Sequence, residues 1–333
     1  MKKVKIICIC ILTCIILIFS VCIMALSFTP KPLFKFANFI PIQSNLTKPY
    51  NYTKIYKNTD VKRNITYSEN YSNSTLDIYY PKKLSRKIPV VLFIHGGGFF
   101  KGDKEMAKYF GPTISNNQYA FISINYNLVP KVTLFDQLRQ INEAIEFIQE
   151  KSDEYSLDSS SINLSGSSAG GFLALQLLSA YHDTNYAKEL QINPIKNIRF
   201  NSLLLYSAVY NLAEFQTMDG NIVTNYLLTK IGWGITGERH WRKDNNLGES
   251  LNLNNYISND FPPIFITDGN TKTFTGQAVN YTERLYQKQI PVQTLFFDSE
   301  EKVGHGYQLQ MDTPASKQAI NKSLEFLHEW NKK

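Results

Sequence analysis

Continuous apolar runs mark the first set of elements along the chain. Ile88-Pro-Val-Val-Leu-Phe-Ile94, Tyr119-Ala-Phe-Ile-Ser-Ile-Asn125 and Phe200-Asn-Ser-Leu-Leu-Leu-Tyr206 carry apolar residues without alternation. That pattern belongs to strands covered on both faces. Phe261-Pro-Pro-Ile-Phe-Ile-Thr267, Val292-Gln-Thr-Leu-Phe-Phe297 and a short stretch through Ile162 and Leu164 read as further strands, whereas Ser74-Thr-Leu-Asp-Ile-Tyr-Tyr80 alternates and stops at Pro81. Between the runs the spacing becomes helical. Leu138, Ile141, Ala144, Ile145 and Ile148 predict an amphipathic helix from Leu134 to about Lys151. Helices are also predicted over Lys104–Asn117, through Phe172–Leu178, over Gln277–Lys288 and over Ala315–Trp330. Strands alternating with helices imply an α/β fold, a mainly parallel twisted sheet covered on both faces.

Two stretches break this rhythm. Residues 211–260 are polar and irregular, with helical pieces around Val223–Ile231, and their position suggests a cap inserted over one edge of the domain. The folded domain then spans about 61–333. Residues 30–60 mix Pro30, Pro32, Pro41 and Pro49 with Asn, Lys and Tyr and read as a tether. Phe34, Phe36 and Phe39 within it are expected either at a membrane surface or docked on the domain. Ahead of the tether, Ile6–Phe28 holds no charged residue and follows Lys2, Lys3 and Lys5. Residues 1–29 are therefore expected to form a transmembrane helix, N-terminus inside, with the domain extracytoplasmic. The rival is a cleaved signal peptide and a secreted protein. Ala25-Leu-Ser27 is a poor cleavage site, and Ser20-Val21 before Cys22 makes a poor lipobox.

Composition narrows the function. With 333 residues, 43% of them hydrophobic, one large domain can fill its core. The net charge of +7 is modest once the three leading lysines are set aside. No basic cluster with interleaved aromatics occurs, so nucleic acid is not an expected partner. All four cysteines, Cys8, Cys10, Cys14 and Cys22, lie in the first apolar run. The domain therefore has no thiol for a disulfide, zinc site or cysteine nucleophile. No nucleotide fingerprint is present, and neither metal nor organic cofactor is expected.

The chemistry centres on Ser161-Ile-Asn-Leu-Ser-Gly-Ser-Ser-Ala-Gly-Gly171. Its Gly166-Ser-Ser-Ala-Gly170 fits G-x-S-x-G, a serine on a sharp strand-to-helix turn. Ser168 is the candidate nucleophile and needs a base. Of five histidines, His328 reads as a helix-surface residue and His182 as a cation at a helix C-terminus. His240 lies in the cap beside Arg239 and Trp241. His305, in Gly304-His-Gly306 after the last strand, is the candidate general base. His95 opens His-Gly-Gly-Gly at a strand end and is expected to hold that loop. The Gly97 and Gly98 N–H groups, with that of Ala169, are the candidate oxyanion hole.

Taken together, His95-Gly-Gly-Gly-Phe99, Tyr126-Asn-Leu-Val-Pro130, Gly166-Ser-Ser-Ala-Gly-Gly171, the Pro262-Pro263 strand and Gly304-His-Gly306 resemble the α/β-hydrolase family, in its hormone-sensitive-lipase-like and carboxylesterase branch. The resemblance covers about residues 70–330 and implies a Ser–acid–His triad in that chain order. The family usually places the acid a few residues after the glycine that ends the Pro-Pro strand. Here Gly269 is followed by Asn270, Thr271 and Lys272. Asp268 is the nearest carboxylate, with Asp298 and Glu301 as rivals.

The resemblance implies a serine hydrolase that cleaves carboxylic esters through an acyl-enzyme. Two alternatives stay open: acyl transfer or deacetylation on cell-envelope glycans, and a weakly active or non-catalytic binding protein. Aromatic Phe99, Phe100 and Trp241 are expected either in an apolar pocket or in the core.

Overall fold

A computed structural model describes residues 24–39, 46–84 and 86–331, together with 7, 11–14, 17 and 20. Eight strands form one sheet: β1 (Thr59–Thr66), β2 (Thr75–Pro81), β3 (Ile88–Ile94), β4 (Ala120–Ile124), β5 (Leu157–Ser167), β6 (Phe200–Tyr206), β7 (Ile264–Thr267) and β8 (Val292–Leu295). Their order is β1-β2-β4-β3-β5-β6-β7-β8. β1 and β2 pair antiparallel, β2 runs antiparallel to β4, and every pairing from β4 to β8 is parallel.

The side-chain period of two divides the interior into two cores. On β3, Val90, Leu92 and Ile94 face one core, together with Leu138, Ile141 and Ile145 of the helix Leu134–Glu150 and Leu173 and Leu177 of the helix Ala169–His182. Val91 and Phe93 face the other, with Phe110, Phe265 and, from the C-terminal helix Pro314–Trp330, Phe326 and Leu327. Helices thus cover both faces. Ala169–His182 is apolar all round and buried along nearly its whole length, as a helix wedged between sheet and cap must be.

Several elements depart from the sequence reading. The helix expected over Lys104–Asn117 is two pieces, a 3₁₀ turn Lys104–Ala107 and a short helix Phe110–Ser115. Pro112 lacks an N–H and sits where one continuous helix would need it. β7 begins at Ile264, after Pro262 and Pro263, because neither proline can donate to the ladder.

The span read as a tether holds two helices, Lys31–Phe39 and Tyr52–Lys57. Pro30 and Pro32 fall at the start of the first, where a missing N–H breaks no helical bond. Phe34 is buried, edge-on to Phe100 at 5.4 Å, while Phe36 and Phe39 are exposed. Pro41 lies outside the described residues, as do Lys2, Lys3, Lys5, Cys8, Cys10, Cys22 and most of the expected transmembrane span. Among the described residues no helix is long and apolar enough to cross a membrane.

The cap follows β6. It comprises Glu214–Thr217, the long helix Ile222–Thr236, a 3₁₀ turn Trp241–Lys243, Asn245–Ser250 and Leu253–Tyr256. Asn221 caps the long helix by accepting from Thr224 N, and Gly237 ends it in the left-handed region. The cap lies above the C-terminal ends of the central strands, where open α/β sheets bind ligands.

Candidate active site

β5 ends at Ser167, and Ser168 makes the turn into the next helix at φ 54° and ψ −122°. Its N–H bonds Tyr206 O on β6 at 2.9 Å, so the strained turn is anchored to the neighbouring strand. The surroundings explain the flanking glycines. A Cβ on Gly170 would stand 2.1 Å from Ile94 O, and one on Gly166 2.3 Å from Gly170 O. The Ser168 side chain makes no capping bond to its own helix and points instead at His305.

The His95-Gly-Gly-Gly loop leaves β3 beside this turn. Gly97 has φ 117°, and a Cβ there would meet Lys101 O at 2.2 Å, so the loop curls too tightly for any side chain. Among the described residues, no acceptor meets the N–H groups of Gly97, Gly98 or Ala169. His95 is fully buried, stacks on Tyr126 with ring centroids 4.2 Å apart, and turns Nδ1 to Gly96 O at 2.8 Å. Burial lowers its pKa to about 4, so the ring is neutral and braces the loop. Tyr126-Asn-Leu-Val-Pro130 supplies the rest of the scaffold. Tyr126 OH donates to His95 O at 2.6 Å, and Val129 N and Gln137 Nε2 both donate to Phe99 O, at 3.1 and 2.7 Å.

His305 Nε2 lies 2.8 Å from Ser168 Oγ. The histidine loop is pinned from two sides: Gly306 N donates to Ser207 Oγ at 3.1 Å, while Asn270 N and Thr271 N donate to Val303 O. Phe274 meets the His305 ring edge-on at 5.5 Å. The histidine keeps access to solvent, yet these apolar surroundings lower its pKa, with Asp268 acting in the opposite sense.

The three candidate acids separate clearly. Asp298 and Glu301 are exposed, and Asn270 holds their backbone carbonyls. Asp268 is buried at the end of β7. Its Oδ1 accepts from Gly269 N at 2.8 Å and from Thr273 Oγ1 at 2.5 Å. Desolvation raises the Asp268 pKa, while the Thr273 and Ser207 hydroxyls, His305 and the Gly269 N–H oppose the rise. Among the described residues no carboxylate bonds the His305 ring. The group at Nδ1 is Thr273 Oγ1, at 3.0 Å. Sequence reasoning missed Thr273, although it lies four residues past Gly269, in the stretch where a carboxylate was expected.

Above Ser168 opens a cavity of about 280 Å³. Phe99, Phe100, Val209 and Leu212 line its floor, and Leu228, Ile231, Ile235 and Trp241 of the cap line its roof. Of the two open readings of Phe99, Phe100 and Trp241, the pocket holds, and Phe99 and Trp241 are also buried. A second, polar depression adjoins it behind Phe215 and Phe274, lined by Asn211, Glu214, Asn252, Asn254, Gln277 and Arg284.

The other histidines stand apart. His240 lines a surface depression with Lys243 and Asp244. His328 lies against Tyr119 at 6.0 Å. His182 does end its helix, but burial against Phe261 lowers its pKa and works against the cationic form expected there.

A serine on a sharp strand-to-helix turn, bonded to a histidine beneath a helical cap on a mainly parallel sheet, marks an α/β hydrolase of the carboxylesterase type. The BD-FAE family model matches residues 76–284, and the chain belongs to that family. Among curated proteins it is similar to a probable isoprenylcysteine alpha-carbonyl methylesterase of Arabidopsis thaliana, 32% identical over 114 residues, which is 34% of this chain and 24% of that protein. It is also similar to an acetyl esterase of Salmonella schwarzengrund, 26% identical over 213 residues, covering 59% of this chain and 58% of that one. The chain thus aligns with well under two thirds of either relative. Among solved structures, esterase B of Lactobacillus rhamnosis superposes with a TM-score of 0.73 at 20% identity, over 87% of this chain and 90% of that one.

Proposed function

We propose that the protein is a serine hydrolase that cleaves carboxylic esters, with Ser168 as nucleophile and His305 as general base. The observation that carries this reading is the 2.8 Å contact between Ser168 Oγ and His305 Nε2, at the mouth of an apolar cavity. Ser168 Oγ attacks the ester carbonyl carbon while its proton passes to His305 Nε2. The tetrahedral oxyanion forms against the free N–H groups of Gly97, Gly98 and Ala169, at the positive end of the helix Ala169–His182. The bond to the alcohol oxygen then breaks, and His305 returns the proton to it. Water, deprotonated by the same imidazole, releases the acid and restores Ser168. Asp268 serves as the acid of the triad.

The pocket favours an apolar acyl group longer than acetyl, since a two-carbon chain leaves most of its volume empty. The polar depression behind Phe274 suits a hydrogen-bonding alcohol, such as a sugar hydroxyl. That keeps deacylation of a glycan as a second reading for the leaving group. Hydrolysis of a p-nitrophenyl ester series from acetate to decanoate tests both points. Turnover by the wild type, none by Ser168→Ala, and a maximum beyond acetate are expected; equal rates for the two proteins would refute the reading.

We also propose that residues 1–29 anchor the domain to a membrane, supported by the uncharged run Ile6–Phe28 after three lysines. Recovery of the full chain in the membrane pellet after carbonate washing is expected, and recovery in the supernatant would count against it.

A further inference from the structure

We propose that Thr273 is a positioning residue: its hydroxyl joins the Asp268 carboxylate to His305 and fixes the imidazole in the tautomer that lets it act as a base. The inference rests on the hydrolase reading above and concerns how its acid acts. Three contacts carry it. Thr273 Oγ1 donates to Asp268 Oδ1 at 2.5 Å, His305 Nδ1 lies 3.0 Å from that same Thr273 Oγ1, and His305 Nε2 lies 2.8 Å from Ser168 Oγ.

A hydroxyl has one hydrogen to give and can accept as well. Because an ionised carboxylate only accepts, the Thr273 hydrogen is committed to Asp268. Towards His305 the Thr273 oxygen can then only accept, so Nδ1 must carry the ring proton. Nε2 is left with its lone pair facing the Ser168 hydroxyl. When His305 takes the serine proton, the imidazolium Nδ1–H stays bonded to an oxygen polarised by the buried carboxylate. No proton needs to leave Nδ1, and none needs to reach Asp268.

The setting holds the bridge in place. Thr275 Oγ1 donates to Gly269 O at 2.6 Å, closing the loop on which Thr273 sits. Val303 O receives Asn270 N at 2.9 Å and Thr271 N at 3.0 Å, so the bridge loop and the histidine loop are one bonded unit. Asp268 belongs to the rigid end of β7, and Phe274 next to Thr273 packs on the imidazole.

The test compares four proteins on a p-nitrophenyl ester and reads kcat and KM separately: wild type, Thr273→Val, Thr273→Ser and Asp268→Asn. Thr273→Val keeps the shape and removes the hydroxyl. It should lower kcat roughly 10²–10³-fold, somewhat less than the loss of a directly bonded triad acid, and leave KM within about threefold. Thr273→Ser should restore kcat to within about tenfold of wild type. Asp268→Asn should fall to a level similar to Thr273→Val, and the double variant should lose little more than either, since the two groups act through one contact. Full kcat in Thr273→Val, or losses that multiply in the double variant, would overturn the bridge while leaving Ser168 and His305 in their roles. A wild type that hydrolyses no ester and resists a fluorophosphonate would instead remove the hydrolase reading itself. Nitrogen-15 histidine spectra of the unmutated protein decide the tautomer without any variant: His305 protonated at Nδ1 is expected near neutral pH, and protonation at Nε2 would exclude the bridge.

Discussion

Ser168 Oγ and His305 Nε2 meet at 2.8 Å across 137 residues of chain. The contact depends on one strand, β6, which adjoins neither residue in sequence. β6 receives the Ser168 N–H through Tyr206 O, and Ser207, just beyond β6, takes the Gly306 N–H. One rigid strand end thus positions Ser168 and His305 together. Ser168 holds a positive φ there, a conformation that costs of order 1–3 kcal/mol in a non-glycine residue.

Ser168→Gly should therefore separate activity from stability. Turnover disappears with the hydroxyl, while the turn relaxes and the melting temperature rises by a few degrees, about 2–4 °C for each kcal/mol regained. Calorimetry of both proteins at one concentration checks this. A lower melting temperature would mean that the elbow is unstrained.

Replacing Gly97 by alanine tests the proposed oxyanion role of its loop. The added methyl meets Lys101 O at 2.2 Å and a φ of 117° that alanine avoids, so the loop must open and its N–H groups turn away. A fall in kcat of roughly 10²–10³ is expected, the usual effect of losing one oxyanion donor. Ser168 should still stand beside His305, so KM changes less than kcat.

The core strands were legible in the sequence because burial on both faces writes an unbroken apolar run. Ile88–Ile94 and Phe200–Tyr206 form strands over those same residues. The edge strand β1 was legible only as short extended segments somewhere between Thr53 and Tyr80: Thr-Asp-Val-Lys-Arg-Asn-Ile-Thr faces solvent along most of its length and carries too little apolar signal to fix its bounds. The helix Lys31–Phe39 was hidden by its prolines, whose position in the first turn reverses their usual meaning. In the site, Ser168, His305 and the glycine loop each carry a local pattern that backbone geometry demands. The Asp268–Thr273–His305 arrangement has no such pattern, since a threonine in a polar loop looks like any other until the fold places it between a carboxylate and an imidazole.

Acidity should affect folding and turnover through different histidines. For His95 the folded pKa is lowered from 6.5 to about 4. Between those values the unfolded chain binds the extra proton and the folded one does not, so stability is full above pH 6.5 and falls as the pH drops towards 4. The loss amounts to roughly 3 kcal/mol at its limit. Asp268, with a raised pKa, has the opposite sign and offsets part of it. Melting temperatures recorded from pH 7 to pH 4.5 should decline, and the decline should be shallower in His95→Gln. A flat wild-type profile would contradict neutral burial of this ring.

Turnover should follow His305, which in the proposed mechanism must be unprotonated to accept the serine proton. Its pKa is lowered by burial, so the acid limb of kcat/KM should lie below pH 6.5, the ordinary histidine value. Asp268 favours the charged imidazole and pulls that limb upward. Asp268→Asn should accordingly move the limb to lower pH while reducing the plateau, because the imidazolium formed in the transition state loses its compensating charge. A limb that moved upward in this variant would show that Asp268 does not act on His305 electrostatically.

The cap offers a test of substrate size. Gly232 faces the indole of Trp241 so closely that a Cβ would stand 1.8 Å from the ring, and the Trp241 Nε1–H is tied to Thr229 O at 3.1 Å. The indole cannot retreat without breaking that bond, so Gly232→Ala must push ring and helix apart. A fused aromatic ring driven off its site in a packed cap should cost about 1–3 kcal/mol, the range for overpacking. Both groups line the cavity above Ser168, so the damage falls on its roof and spares the serine and histidine below. Long acyl esters should lose most of their kcat/KM while acetate changes little, because a two-carbon chain does not reach the roof. A uniform loss across the ester series would place the acyl chain outside this cavity.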